Sequence, residues 1–262
     1  MFGIPMMAAS FVLNLNGMVG KIILSGAGLY ADVGVFAIAT TLANVFSIIP
    51  TAFATFWSPY MYRHYEDDHG TILRMHNLVM WGVAAIVAAI VVFQDWLFLL
   101  VGGDYAECQI YFMLIMTNPI QALICETTAY GIAIKEKPIY NVTSSVLGVA
   151  VSVAVTYGLM GLLGPLAAAL GVAASSALIC IMRSIVGQRY YKSVPCPARS
   201  FTVGFLVLLV CGLNGFLCGS IVLEIVVGAA LFLAATVVYK GDLKVLLKSA
   251  TAGKHRKGCD RG

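Results

Sequence analysis

The acidic residue Glu126 lies inside a stretch of apolar sequence that is long enough to cross a membrane. Asn118 and Gln121 belong to the same stretch, and on a helix the three side chains fall within an arc of about 140°, so they could face one cavity. Pro119 frees a backbone carbonyl beside them, a pattern typical of a broken helix at a binding site. Because lone intramembrane carboxylates often couple transport to protons or cations, Glu126 is a candidate ion-coupling residue. The alternative is a kink satisfied by neighbouring helices, with Glu126 reaching water.

A second set of polar side chains lies in the first apolar stretch. Asn14, Gly17 and Lys21 follow the spacing i, i+3, i+7 and share one helical face, which ends in a cation. This stripe predicts a lining for an anionic substrate, whereas the alternative is hydrogen bonding between helices beside small residues. Asn44 repeats the pattern more weakly in the second apolar stretch. The candidates for lining a substrate path are Asn14, Lys21, Asn44, Asn118 and Gln121.

A charged run, Arg63-His64-Tyr65-Glu66-Asp67-Asp68-His69-Gly70, mixes imidazoles with carboxylates and invites a metal or magnesium-phosphate interpretation. It lacks a recognised ligand spacing and carries the charges of an ordinary solvated loop, so no metal is predicted. The chain also has no Gly-rich phosphate loop, no GxSxG turn and no paired intramembrane His and Asp. We therefore expect neither enzymatic chemistry nor a cofactor. A membrane-embedded polyprenyl-phosphate enzyme is an alternative that only Glu66-Asp67-Asp68 would support.

The elements that must position these residues follow from composition. Of the 262 residues, 60% are hydrophobic and 11% charged, whereas a soluble domain carries roughly 25% charge. The sequence therefore predicts an all-α polytopic membrane protein of about eight transmembrane helices, and it excludes an appended soluble catalytic domain. The expected spans are roughly 4–24, 34–61, 77–101, 109–134, 139–159, 163–186, 201–219 and 221–239.

The basic residues indicate how these spans are oriented. Of the 16 Lys and Arg residues, alternation between sides leaves only Lys21 away from the basic side. The positive-inside rule then places both termini in the cytoplasm, together with the connections near 63–76, 135–138 and 187–200. A proline-punctuated basic connection separates six spans from a final pair. We expect a lobe over 1–192 and a helix pair with a basic cytoplasmic tail over 193–262.

Several stretches in order along residues 2–192 carry a family resemblance. They are Phe2-Gly3-Ile4-Pro5, Val33-Gly34-Val35-Phe36-Ala37-Ile38-Ala39, Phe56-Trp57-Ser58-Pro59-Tyr60-Met61, Gly103-Asp104-Tyr105, Lys135-Glu136-Lys137-Pro138, and the hairpin from Tyr157-Gly158 through Gly164-Pro165 to Ala173. Together they resemble the C-terminal half of the polysaccharide flippases of the multidrug/oligosaccharidyl-lipid/polysaccharide (MOP) superfamily. One departure concerns the seventh helix of that family, which often ends with Asp-Arg where this chain has Gly20-Lys21.

The resemblance implies one six-helix lobe of a MATE-like fold plus a terminal helix pair. It also implies that the chain takes part in flipping undecaprenyl-diphosphate-linked oligosaccharide across the bacterial cytoplasmic membrane for cell-surface polysaccharide biosynthesis. The expected partners are membrane lipid, the lipid-linked glycan, and a missing N-terminal lobe or a second copy, since such flippases enclose their cavity with two lobes; no nucleic acid is expected. Two alternatives remain open: a lobe of a cation-coupled multidrug exporter, and a truncated remnant that transports nothing.

Overall fold

The computed structural model of the protein describes residues 3–101, 108–194, 197–217 and 221–259. Within those ranges the chain forms ten α-helices and no strand. The helices are α1 (Gly3–Gly26), α2 (Tyr30–Val45), α3 (Ile48–His64), α4 (His69–Val101), α5 (Cys108–Thr128), α6 (Tyr130–Ile134), α7 (Ile139–Leu163), α8 (Leu166–Tyr190), α9 (Pro197–Leu217) and α10 (Ile221–Cys259). Gly103-Asp104-Tyr105, one of the stretches that carries the resemblance, lies outside the described residues.

Most of these helices have membrane length. Seven described stretches are long and apolar enough to cross a bilayer, and α2 with α3 counts as one of them, Tyr30–His64. A shorter apolar stretch on α9, Arg199–Asn214, corresponds to the seventh span expected from the sequence. The prediction of an all-α polytopic membrane protein with about eight helices is therefore confirmed.

The second expected span is divided into α2 and α3. The amides of Phe46 and Ser47 bond to carbonyls only three residues back, on Ala43 and Asn44, at 3.1 and 3.0 Å. Pro50 falls in the first turn of α3, where a missing amide hydrogen costs nothing because first-turn amides have no partner within the helix. Local turn geometry and a proline at a helix start therefore explain this break.

The fourth expected span is also divided, but not at the proline. Helix α5 runs through Pro119 without interruption, so the expectation of a helix broken at Pro119 is wrong. Because α5 is packed by α2, α3, α4, α8 and α9, its neighbours hold the helix together across the lost hydrogen bond. The break lies at Ala129, where the freed carbonyl of Thr128 accepts a hydrogen bond from Gln188 Nε2 at 3.2 Å. A side chain from α8 thus satisfies the backbone that the break exposes.

Helices α7 and α8 form a hairpin with small residues at its interface. Gly164, with φ +55°, ends α7, and Pro165 leads into α8. Further along, a methyl group on Gly171 would overlap the Thr156 hydroxyl and lie 2.9 Å from the Ser152 carbonyl oxygen. The helices therefore approach each other closely because their contact residues are small, as is common in membrane bundles.

Helices α9 and α10 pack against the rest of the bundle through α4 and α5. The amides of Gln94 on α4 and Asn214 on α9 form two reciprocal hydrogen bonds at 3.2 and 2.8 Å, both residues being buried. Trp81 on α4 donates to the Thr236 hydroxyl on α10 at 3.2 Å. The expected division of the chain into a lobe over 1–192 and a helix pair with a tail over 193–262 stays a prediction.

The expected cytoplasmic connection over 63–76 is shorter than the sequence suggested. Helix α4 begins at His69 because Asp68 accepts a hydrogen bond from the backbone amide of Thr71 at 3.0 Å, as an N-cap residue does. His76, assigned to that connection, is instead a fully buried residue of α4. Helix α10 likewise continues to Cys259, beyond the expected end near residue 239.

Candidate functional site

The two asparagines of α1 occupy different environments. Asn16 is buried and donates to the Ser175 hydroxyl of α8 at 3.0 Å. Asn14 is exposed, and its amide only bonds back to the Ser10 carbonyl at 3.0 Å. Asn16 therefore holds α1 against α8, whereas Asn14 remains on the outer surface of the described bundle.

Lys21 lies on the same side of α1 as Asn14 and is half-buried. Among the described residues no hydrogen bond or ion pair holds its ammonium group. The exposed apolar side chains of α1 lie next to this stripe, for example Phe11 at 65% exposure and Ile22 at 60%. The polar stripe therefore runs along the border between the buried face of α1 and its apolar open face, as helical spacing requires.

Asn44 on α2 and Asn118 on α5 are also exposed. Asn44 lies next to the α2–α3 break, and its carbonyl accepts the Ser47 amide at 3.0 Å. On α5, Asn118 is exposed, as is Ala122, although most residues of this helix are buried. Both amides thus belong to surfaces that the rest of the described bundle leaves uncovered.

Gln121 is separated from Asn118. Its side chain is 6% exposed and lines a cavity of about 540 Å³ between α5, α8 and α9. Asn118 and Glu126 are not among the residues that line this cavity. The structure therefore does not bring the three polar residues of α5 into one cavity, although their arc on the helix is narrow.

Glu126 takes part in a polar chain that connects three helices. Its carboxylate accepts a hydrogen bond from the Tyr130 hydroxyl of α6 at 3.4 Å, and that hydroxyl lies 2.5 Å from the Ser58 hydroxyl of α3. The ring of Tyr62 meets the ring of Tyr130 edge-on, with centroids 6.2 Å apart. The carboxylate is therefore half-buried beside aromatic side chains, close to the break between α5 and α6.

Arg183 provides a positive charge near Glu126. It is half-buried on α8 and donates hydrogen bonds to the hydroxyls of Ser144 and Ser145 on α7, at 3.0 and 2.9 Å. Its charge interacts with that of Glu126, but the two side chains form no direct ion pair. Arg183 is one of the bases that the positive-inside rule assigns to the cytoplasmic side, so its contacts inside the bundle do not follow from the sequence. Tyr130, by contrast, could have been found, because it lies one helical turn after Glu126.

His76 is a second buried group that the sequence analysis missed. Its Nδ1 lies 2.9 Å from the Thr127 hydroxyl on α5, and its Nε2 lies 2.6 Å from the Ser200 hydroxyl on α9. Both ring nitrogens are thus occupied by hydroxyl groups. We assign His76 a structural role that joins α4, α5 and α9.

Within the charged run over 63–70, Asp68 is held by residues on either side of the run. Asp68 accepts hydrogen bonds from the Tyr60 hydroxyl at 2.7 Å and the Thr71 amide at 3.0 Å, and these bonds lower the pKa of its carboxyl group to about 2. Among the described residues no three His, Cys, Asp or Glu side chains are grouped closely enough to hold a metal ion. One carboxylate oxygen of Asp68 therefore caps the start of α4, and the other links that cap to Tyr60 on α3.

The candidate residues thus fall into three places. Asn14, Lys21, Asn44 and Asn118 lie on open or bordering surfaces, Gln121 lines the α5–α8–α9 cavity, and Glu126 belongs to a polar cluster with Tyr130 and Arg183. No family model matches the chain, and neither does any curated protein or solved structure. The assignment of these residues to a substrate path or to ion coupling stays a prediction.

Proposed function

We propose that the chain is the C-terminal lobe of a lipid-linked oligosaccharide flippase in the bacterial cytoplasmic membrane. In this role it moves an undecaprenyl-diphosphate-linked glycan from the cytoplasmic to the outer leaflet for cell-surface polysaccharide biosynthesis. The multi-span helical architecture fits a transporter. The substrate is inferred from the sequence resemblance and from the chemistry of α1.

The observation that carries the proposal is the open polar stripe of α1. A lysine ammonium and an asparagine amide facing acyl chains are costly. Lys21 has no hydrogen bond or ion pair among the described residues, and the side-chain amide nitrogen of Asn14 donates only to a carbonyl of its own helix. Water or a polar ligand along this surface would remove that cost. A sugar diphosphate offers both an anion for Lys21 and hydroxyls for the amides.

The open surfaces of α2 and α5 extend the same argument. Asn44 and Asn118 are exposed, while the opposite faces of their helices are packed in the core. Alternating access requires a second lobe that rocks against the first. We therefore place a companion lobe, or a second copy of this chain, over these amides, so that they line a shared wet passage.

The proposal is tested by transport of a fluorescent polyprenyl-diphosphate-linked glycan in proteoliposomes. The proteoliposomes contain the chain together with its companion polypeptide, or the chain alone if two copies of it form the transporter. Lys21→Ala should slow flipping about tenfold, because it removes a charge-assisted contact to phosphate. Lys135→Ala, an exposed lysine in the turn after α6, is the matched control and should leave the rate unchanged. Unaltered flipping by well-folded Lys21→Ala protein would contradict the proposal.

One observation favours a second candidate, a cation-coupled exporter of organic cations. The half-buried carboxylate of Glu126 lies against the hydroxyl of Tyr130, with the ring of Tyr62 next to it, and carboxylates beside aromatic rings suit cationic ligands. Glu126→Gln removes the charge but keeps the acceptor for Tyr130. The exporter function is favoured if the wild type expels a fluorescent organic cation and flips no glycan, and if Glu126→Gln abolishes that efflux. The flippase function predicts that the protein moves the glycan and does not expel the organic cation.

A further inference from the structure

The α5–α8–α9 cavity has the form of a binding site for an elongated apolar molecule. Helix α8 contributes lining residues from Cys180 to Arg189, about 13 Å of helix at 1.5 Å per residue. That length is close to half of a bilayer core of about 30 Å, the depth of one leaflet. The volume of about 540 Å³ lies in the range of small-molecule sites.

The walls of the cavity are apolar, and its side is open. Ile181 and Ile185 on α8 are 42% and 56% exposed, and Phe201 and Phe205 on α9 are 45% and 64% exposed. These four side chains flank a lateral gap between the two helices. A hydrocarbon chain can therefore enter from the surrounding lipid without crossing the bundle. The apolar lining ends at Gln121, whose amide marks the deep end.

The opposite end carries positive charge. Arg189 is exposed at the cavity mouth, and Lys192 and Arg199 follow it in the chain, both also exposed. No Asp or Glu occurs among the residues that line the cavity. The other polar groups at the mouth are occupied, since Gln188 bonds to Thr128, Ser193 and Val194. The guanidinium of Arg189 is therefore available to bind an anion at the end of the cavity where α8 ends and α9 begins.

We propose that this cavity binds one acyl chain of an anionic phospholipid, with the lipid phosphate against Arg189. The positive-inside prediction assigns this mouth to the cytoplasmic leaflet. Basic pockets between membrane helices on that side bind anionic head groups, and here the pocket also offers an apolar slot for the attached chain. The bound lipid fills the gap between the lobe and α9, independently of what the protein transports.

Two glycines of α9 provide a matched test of the slot. A Cβ on Gly204 would meet no atom within 4 Å, and the same holds for Gly212, but only Gly204 lines the cavity. Gly204→Leu therefore fills the slot, whereas Gly212→Leu adds the same bulk elsewhere on the helix. Arg189→Gln removes the charge at the mouth, and Arg63→Gln removes an exposed arginine of α3 as its control.

The experiment measures lipid binding to the purified full chain by native mass spectrometry. Phosphatidylglycerol and phosphatidylcholine with identical acyl chains are titrated separately. The wild type should prefer phosphatidylglycerol about fivefold, the effect of about one basic residue near an anionic lipid. Arg189→Gln should abolish that preference, Gly204→Leu should weaken both lipids at least fivefold, and both control variants should bind like the wild type.

Three results would overturn the proposal. They are equal affinity of the wild type for the two lipids, unchanged binding by Gly204→Leu, and saturation of the site by glycerol phosphate at the concentration that suffices for phosphatidylglycerol. The last result would indicate an anion site without a chain slot. If Gly204→Leu does not fold, Arg189→Gln decides alone, because it changes an exposed side chain.

Discussion

The guanidinium of Arg183 on α8 donates a hydrogen bond to the hydroxyl of Ser145 on α7 at 2.9 Å. The charge of the guanidinium interacts with that of Glu126, although the two side chains form no ion pair. Each charge is thus stabilised by hydroxyl groups and by the more distant charge of the other. The carboxylate of Glu126 thus accepts a hydrogen bond from the Tyr130 hydroxyl and forms no ion pair with Arg183.

A double-mutant cycle tests this coupling. Arg183→Gln should lower the free energy of unfolding by about 1.5–3 kcal/mol, because it removes charged hydrogen bonds to Ser144 and Ser145. In combination with Glu126→Gln, the loss should be smaller than the sum of the single losses by at least about 0.5 kcal/mol. Denaturant titration in detergent micelles measures all four proteins. Strict additivity would show that the two charges do not interact.

The close approach of α8 to the break after α5 makes a second prediction. A Cβ on Gly187 would lie 2.5 Å from the Thr128 carbonyl oxygen and 2.7 Å from the Ala129 Cα. Because backbone atoms cannot move aside cheaply, Gly187→Ala should destabilise the protein by about 1–3 kcal/mol. Gly158→Ala, whose added Cβ would meet nothing within 4 Å, is the control and should be neutral or stabilising by up to about 1 kcal/mol. Equal stability of the two variants would refute the packing at the break.

The cap of α4 predicts a dependence on pH. The carboxyl of Asp68 has its pKa lowered from 3.8 to about 2 by the Tyr60 hydroxyl and the Thr71 amide. Its contribution to stability is therefore present above about pH 4 and is lost as the pH falls towards 2. Asp68→Ala should lower the melting temperature by a few degrees at pH 7 and by much less at pH 2, whereas Asp67→Ala should have little effect at either pH. A difference in melting temperature between wild type and Asp68→Ala that is as large at pH 2 as at pH 7 would contradict the assigned cap.

The helices could be predicted from the sequence, whereas their breaks and buried contacts could not. Apolar runs of membrane length are a local property, so the spans agree with the helices even where the ends differ. The break at Ala129 depends on Gln188, which reaches the freed carbonyl from a helix sixty residues along the chain. Arg183 and His76 find their hydroxyl partners on distant helices in the same way. Glu126 was recognisable because a carboxylate in an apolar run is rare, and Tyr130 follows from helical spacing.

Labelling of introduced cysteines tests the central claim, that Lys21, Asn44 and Asn118 border water. Each is replaced by Cys in a chain whose native cysteines are Ser, and membrane-embedded protein is treated with a charged, water-soluble maleimide. Leu233→Cys, at a position of α10 that is 62% exposed, reports a surface facing lipid. We expect labelling at positions 21, 44 and 118 and none at 233. If the cysteines at 21, 44 and 118 react only with a lipid-soluble maleimide, as the cysteine at 233 should, then Lys21, Asn44 and Asn118 face acyl chains. The shared wet passage would then not exist.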